Sequence, residues 1–194
     1  MTDYPHCRDA WGYANDVRDG TIPSCKYIKL AVERFFADMD REDLTFNYDE
    51  VEKFCNFCGH LPHVKGKWAQ QQKRFDLEPW QKFKFANLFG FYRVSTGKRK
   101  YQECLNIIPR KNGKSIDAAA VGLYMLTSDN EFGSEVYCGA TSEKQANEVF
   151  TPAKRMLKSN PELMNFLDLS IQTQSIFRES DGAFFQRVIG DPPD

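Results

Sequence analysis

No apolar run in this sequence is long enough to span a membrane. The first residues, MTDYPHCRDAWGY, lack the apolar core of an export signal. There is no internal repeat and no low-complexity segment. Charge excess is missing too. Lys plus Arg (26) nearly balances Asp plus Glu (27), so the net charge is -1. That removes any global attraction to nucleic acid and leaves only a local basic face open. Without an export signal, the six cysteines read as reduced thiols of a cytosolic protein.

What is present suffices for a core. Hydrophobic residues make up 41% of the 194 positions, with 16 Phe among them. That length suits one domain with a small appendage. Residues 1–24 are polar and read as an irregular arm. Ser24 then predicts the cap of a helix with Tyr27, Leu30, Ala31 and Phe35 on its apolar face. Asn47 with Glu50 predicts a capping box for a second helix that stops near Gly59. LPHVKGKWAQQQKRF reads as a connection. Pro79 opens a third helix that ends at Gly90. No strand is expected before that point.

The pattern then changes. YQECLNII predicts a strand, GKSIDAAAVGLYMLT a helix and SEVYCGA a strand. TSEKQANEVFTPAKRMLKS predicts a helix with Ala146, Val149, Phe150, Ala153, Met156 and Leu157 on one face, and Pro152 costs it a hydrogen bond. Strand, helix, strand, helix implies an α/β fold with parallel pairing. The tail predicts one or two strands around a turn at SDG, then a loop, GDPPD.

The centre of the chain is PRKNGKS, residues 109–115. It carries the end of the phosphate-loop pattern G-x-x-x-x-G-K-[ST], with Ile108 where the first glycine would stand. Phosphate binding at a strand-to-helix turn needs inward N–H groups, a lysine and a hydroxyl for Mg²⁺. Gly113, Lys114 and Ser115 supply them in order. The alternative is an exposed basic turn.

PRKNGKS resembles the deviant Walker A of bacteriophage large terminase subunits, the ATP-driven motors that package viral DNA. LEPWQKFKFANLFGF is similar to that family's adenine-side segment, centred on Trp80 and Gln81. YCGATSEKQANEVF resembles the strand and helix after the loop. YANDVRDGTIPSCKYIKLAVERFFADMDR resembles the N-terminal arm of the tailed-phage branch. The resemblance implies an incomplete P-loop NTPase parallel sheet behind a helical arm. Residues 1–76 would form the arm and 77–194 the first part of the ATPase domain. ATP and Mg²⁺ would be the cofactors, with duplex viral DNA, a small terminase subunit, a portal protein and sister copies as partners. The setting would be the host cytoplasm, with no membrane.

It also implies roles. Lys114 neutralises the β- and γ-phosphates and Ser115 ligates Mg²⁺. Asn112, Gly113 and Lys114 offer backbone N–H groups in a loop that includes Lys111. Arg110 stabilises charge on the transferring phosphoryl group, a task suited to a permanently charged fork, or is a solvated loop charge. Gln81 pairs with adenine beside Trp80, or is a surface helix residue. Thr141 and Gln145 match a coupling motif, or belong to a capping box from Ser142 to Gln145. The family's Walker B strand, with two acids, is not found. Asp191 is the nearest acid and is followed by prolines. Unaided hydrolysis is expected to be slight. A non-catalytic nucleotide-binding or scaffold fragment and a helicase-like remodelling ATPase stay open as other classes. Cys55, Cys58, His60 and His63 are spaced like half a zinc site. The cysteines share an apolar helical stripe with Val51 and Phe54, so burial without metal is expected.

Overall fold

A computed structural model describes residues 3–190. The described residues gather into two compact units, one drawn from Met1–Gly59 and Asp76–Leu105, the other from His60–Phe75 and Asn106–Asp194. Each unit has its own core. The expected boundary at residue 76 separates the 79–90 helix from the arm, yet that helix packs within the first unit.

The first unit is mostly helical. α1 (Pro5–Asp19) replaces the expected irregular arm: Pro5 opens it and Gly20, at φ 87°, closes it in the left-handed conformation. Its buried stripe, Cys7, Ala10, Ala14 and Val17, is made of small side chains. Those let α1 pack closely on α5 (Pro79–Gly90). α2 (Lys26–Met39) buries Val32, Phe35 and Asp38, while Tyr27 and Leu30 of the expected apolar face are exposed. Its N-cap is Cys25, and the Ser24 hydroxyl donates to the Ile22 carbonyl instead. α3 (Tyr48–His60) starts as expected, with the Glu50 N–H donating to Asn47 Oδ1 at 3.2 Å.

An unexpected two-stranded ladder joins β1 (Leu44–Phe46) to β2 (Phe91–Arg93), with Phe46 opposite Phe91. Strands of three residues are too short to show alternation. Phe35 is the centre of this core, with edge-on contacts to Trp11, Phe83 and Phe91 at centroid distances of 4.7, 5.3 and 5.6 Å. Gly90 is required here: a Cβ would lie 2.3 Å from the Phe46 ring.

The second unit is a mixed α/β layer pair. The segment 60–75, expected as a plain connection, contains α4 (Gly66–Gln70) and a bridge from Pro62 to Arg74. α6 (Lys114–Thr127), β3 (Glu135–Ala140) and α7 (Glu143–Lys158) occur where the periodicity places them. α8 (Pro161–Phe166) and three strands follow: β4 (Leu169–Ile171), β5 (Ser175–Arg178) and β6 (Phe184–Ile189). The sheet order is β3-β6-β5-β4. Only β3 and β6 are parallel; the other pairs are antiparallel, so the expected parallel sheet is a mixed one. The cause is local. β4, β5 and β6 are joined by tight turns, which permit only antiparallel neighbours.

The strand expected at YQECLNII is absent from the ladders. Residues 101–109 carry no strand assignment, and Leu105 and Ile107 are 86% and 80% exposed. Leu105 and Ile107 therefore find no core among the described residues, while Tyr101 and Ile108 are half-buried. α6 and α7 cover one face of the sheet. Gly122 of α6 lies under the Phe185 ring, which a Cβ there would approach to 2.7 Å. Phe150 of α7 meets the same ring edge-on at 5.6 Å.

Candidate functional site

The loop 109–113 is shaped by its backbone. Lys111 has φ 70° and Gly113 φ 81°. Positive φ at alternate positions turns successive N–H groups toward one side. Gly113 takes that conformation at little cost, whereas Lys111 is strained. The Asn112 amide donates to the carbonyls of Pro109 and Arg110, both at 3.3 Å, which folds the turn upon itself.

Gly113 is the N-cap of α6 and, lacking a side chain, makes no cap hydrogen bond. The ladder begins with the Asp117 N–H donating to the Gly113 carbonyl at 2.9 Å. The N–H groups of Lys114, Ser115 and Ile116 therefore precede the first intrahelical bond. They form the positive end of a 14-residue helix. Arg110, Lys111, Asn112 and Lys114 are exposed, and Ser115 is half-buried on the first turn. Three cations and a helix terminus thus share one short segment.

α6 returns into β3 through residues 128–134, and the Ser134 hydroxyl donates to the Leu126 carbonyl at the far end of the helix. The start of α6 consequently lies at the edge where β3 and β6 finish. Gly190 N–H donates to the Ala140 carbonyl at that edge, at 3.0 Å. Ligands of α/β sheets bind at the carboxyl edge of the strands. Asp191, the acid nearest this edge in sequence, lies outside the described residues.

α7 starts at the same edge. Its Ser142 cap accepts from the Gln145 N–H at 3.3 Å. Gln145 does not complete the box with its side chain. Its Oε1 instead accepts from the Thr141 hydroxyl at 2.9 Å, so the two residues of the expected coupling motif are joined directly. Arg187 of β6 braces this turn through Glu143 at 2.6 Å and Asn147 at 2.9 Å.

Trp80 and Gln81 belong to the first unit. Gln81 is 5% exposed, not on the surface, and its Oε1 accepts from the Glu78 N–H at 2.9 Å in a capping box that starts α5. Trp80 is half-buried, with the Lys84 ammonium 5.4 Å from its ring.

Two features escaped the sequence reading. Asp117 is 2% exposed in the first turn of α6, three residues after Lys114. An acid there complements the positive helix end, and its spacing was the available signal. Arg187 could not be found, because its partners are 40 and 44 residues away.

Cys55 and Cys58 are buried on α3 with Val51 and Phe54, as their spacing predicts. Burial pushes the Cys55 thiol up to about 12, with Glu52 adding to the effect. His63 packs between Trp68 and Phe75, at 4.8 and 5.4 Å. Among the described residues no three His, Cys, Asp or Glu side chains gather as metal ligands. No helix among them is long and apolar enough to cross a membrane.

No curated protein sequence matches the chain. The crystal structure of the HK97 bacteriophage large terminase resembles it with a TM-score of 0.59 and 20% identity, over 74% of this chain and 28% of that one. At that identity the likeness shows the fold. The chain spans 28% of the length of that protein. The family model for the terminase large subunit ATPase domain matches residues 79–185. That stretch is more than half of the 194-residue sequence and contains α5, the loop and both helices on the sheet, so the chain belongs to the terminase large subunit ATPase-domain family.

Proposed function

We propose that residues 109–115 are a P-loop that binds ATP with Mg²⁺, and that the chain is the nucleotide-binding part of a motor that packages viral DNA. One observation carries the reading. A basic loop with left-handed Gly113 leads into an uncapped helix start, at the carboxyl edge of a sheet, within a matched terminase ATPase domain. An anion of three phosphates satisfies what that arrangement leaves open.

In this reading Lys114 sits at the first position of α6 and brings its ammonium to the outer phosphates. The N–H groups of Asn112, Gly113 and Lys114 donate hydrogen bonds to the phosphate oxygens. Arg110 adds a fixed charge near the phosphoryl group, suited to bidentate contact. Lys111 raises the local positive charge. The Ser115 hydroxyl, one residue into the helix, is the side chain that would hold Mg²⁺. The ion would supply neutralisation of the phosphate charge. Residues present thus fit the ion in one ligand, a hydroxyl; phosphate oxygens would supply others. The adenine role of Trp80 and Gln81 rests on the resemblance alone, since Gln81 already caps α5. Duplex DNA, a small terminase subunit, a portal protein and sister copies are the partners this reading brings, within a bacterial host cytoplasm.

Competition with a fluorescent ATP analogue tests it. ATP, ADP and pyrophosphate should displace the probe in the presence of Mg²⁺, and adenosine should not. Displacement by adenosine as strong as by ATP would sink the phosphate-loop reading.

A further inference from the structure

The first unit holds a cleft of about 820 Å³ along the β1–β2 ladder, and all of its lining residues belong to that unit. A space of this size takes a ligand as large as a mononucleotide. Three tyrosines line it: Tyr4, Tyr48 and Tyr92. The Tyr48 ring is fixed, stacked on Trp11 at 5.7 Å and met edge-on by Phe46 at 4.9 Å. Tyr4 lies 5.1 Å from Tyr48, its ring tilted by 34°. Tyr92 stands opposite Thr45 in the ladder. Aromatic walls held by their own packing are ready for a planar ligand before it arrives.

The charges of the cleft are unequally engaged. The Asp49 charge pushes the Tyr4 hydroxyl above its ordinary value, and a hydrogen bond between the two adds to the effect. That acid already has a partner. Arg93, by contrast, is exposed. Asp43, beside it across the ladder, is taken by Arg41, which donates to it at 2.8 and 2.6 Å. The turn after Arg93 fixes its backbone: the Thr96 and Gly97 N–H groups donate to its carbonyl at 3.2 and 2.8 Å. Residues 93–100 carry four bases and no acid. Arg99 pairs with Glu50 and Lys100 with Asp38, so Arg93 and Lys98 supply the open charge of this turn. A guanidinium fork matches two oxygens of a phosphate. Asn47 spends its Oδ1 on the Glu50 N–H at 3.2 Å, which leaves its NH₂ group as a donor at the cleft wall.

We propose that this cleft binds a nucleoside monophosphate, with the base against the tyrosine rings and the phosphate on Arg93. Rings and a fork in one space of this volume match a planar base joined to one anion. The site is separate from the phosphate loop, which lies in the second unit. It is also separate from Trp80 and Gln81. They stand at the start of α5, and β2 follows its end, about 16 Å away along the helix. The proposal does not rest on the loop, and a protein disabled in the loop tests it.

Titration calorimetry on Lys114→Ala protein reads the cleft alone. AMP should give saturable heat. Adenosine should bind about tenfold more weakly, because it lacks the group that Arg93 holds. Inorganic phosphate alone should give no saturable heat. Arg93→Gln should lower AMP affinity about tenfold, to the level of adenosine, and leave adenosine unchanged. Tyr92→Ala should weaken both ligands about tenfold, and Tyr92→Phe, which keeps the ring, should bind both as before. Circular dichroism confirms that each variant folds. No heat from AMP, or an affinity that neither Arg93→Gln nor Tyr92→Ala alters, would overturn the proposal. So would AMP heat that the parent shows and Lys114→Ala protein lacks, because the loop would then be the site. A thymidine oligonucleotide that binds at least about a hundredfold tighter than AMP, and loses that affinity in Tyr92→Ala, would also overturn it. The cleft would then hold a strand and not a mononucleotide.

Discussion

Two helices begin at the same edge of the same sheet, and they begin differently. α7 starts from Ser142, whose hydroxyl accepts from the Gln145 N–H. α6 starts from Gly113, which has no side chain to offer and sits in the left-handed region. Both helices face the same structural demand, because the first N–H groups of any helix need acceptors. α7 meets it from within. α6 leaves it to something outside and places Arg110, Lys111 and Lys114 beside the gap. In the function proposed above, one start is built for stability and the other for an anion.

The largest effect should come from removing what the two helices share. Phe185 packs under Gly122 of α6 and edge-on to Phe150 of α7. Phe185→Ala should cost about 3–5 kcal/mol in chemical denaturation, within the usual range for a buried Phe. An equal loss from Leu105→Ala would contradict the assignment of the 101–109 segment as exposed.

Next in size is a direct exchange of starts. Gly113→Ser gives α6 a hydroxyl, but at φ 81° the residue lies outside the extended region that capping uses. Strain should cost about 1–2 kcal/mol, and ATP affinity should fall at least tenfold. A gain in stability would show that the loop relaxes and that its shape is not fixed. Ser142→Ala should then cost about 1 kcal/mol, the usual worth of a cap. Its ATP affinity should match the parent's. Loss of nucleotide binding there would erase the contrast between the two helices.

A smaller effect tests the ion pair of Arg178 with Asp181. The hydrogen bond from Arg178 holds the Asp181 carboxyl well below the usual carboxylate range. A lowered folded-state pKa means that its stabilisation is full above the unfolded value, about 4, and fades as pH falls below it. Asp181→Asn should therefore narrow its deficit to the parent as pH drops under about 4. A deficit that stays constant across that range would remove the ionised pair from the account. Thiol labelling gives the mildest readout. Cys25 and Cys104 are exposed and should react at once, while Cys7, Cys55 and Cys58 wait for unfolding.

These contrasts also explain what the sequence revealed. α6, β3 and α7 were legible because their apolar periods are long enough to count. Cys55 and Cys58 were legible through their spacing to Val51 and Phe54. α1 was missed because its buried stripe is Cys, Ala, Ala and Val among polar residues, a weak signal that becomes decisive only against α5. The 101–108 strand was expected from composition, yet a strand needs a neighbour, and none of the described residues pairs with it. The three-residue β4 carries no readable alternation. In the candidate site, Gly113, Lys114 and Ser115 were legible as a local motif. The alternative for Gln81, a surface helix residue, fails because its burial depends on the packing of α5, which no local pattern reports. Arg187 depends on distance in sequence that no local pattern reports.

Isothermal titration of ATP–Mg²⁺ into the parent chain and into Lys114→Ala tests the central claim most directly. Lys114 is exposed at the first position of α6, so its removal should leave folding intact. The account predicts saturable heat for the parent and a loss of at least about a hundredfold in affinity for the variant, as expected when a charge-assisted phosphate contact disappears. Equal heats from the two proteins, or none from the parent, would contradict it.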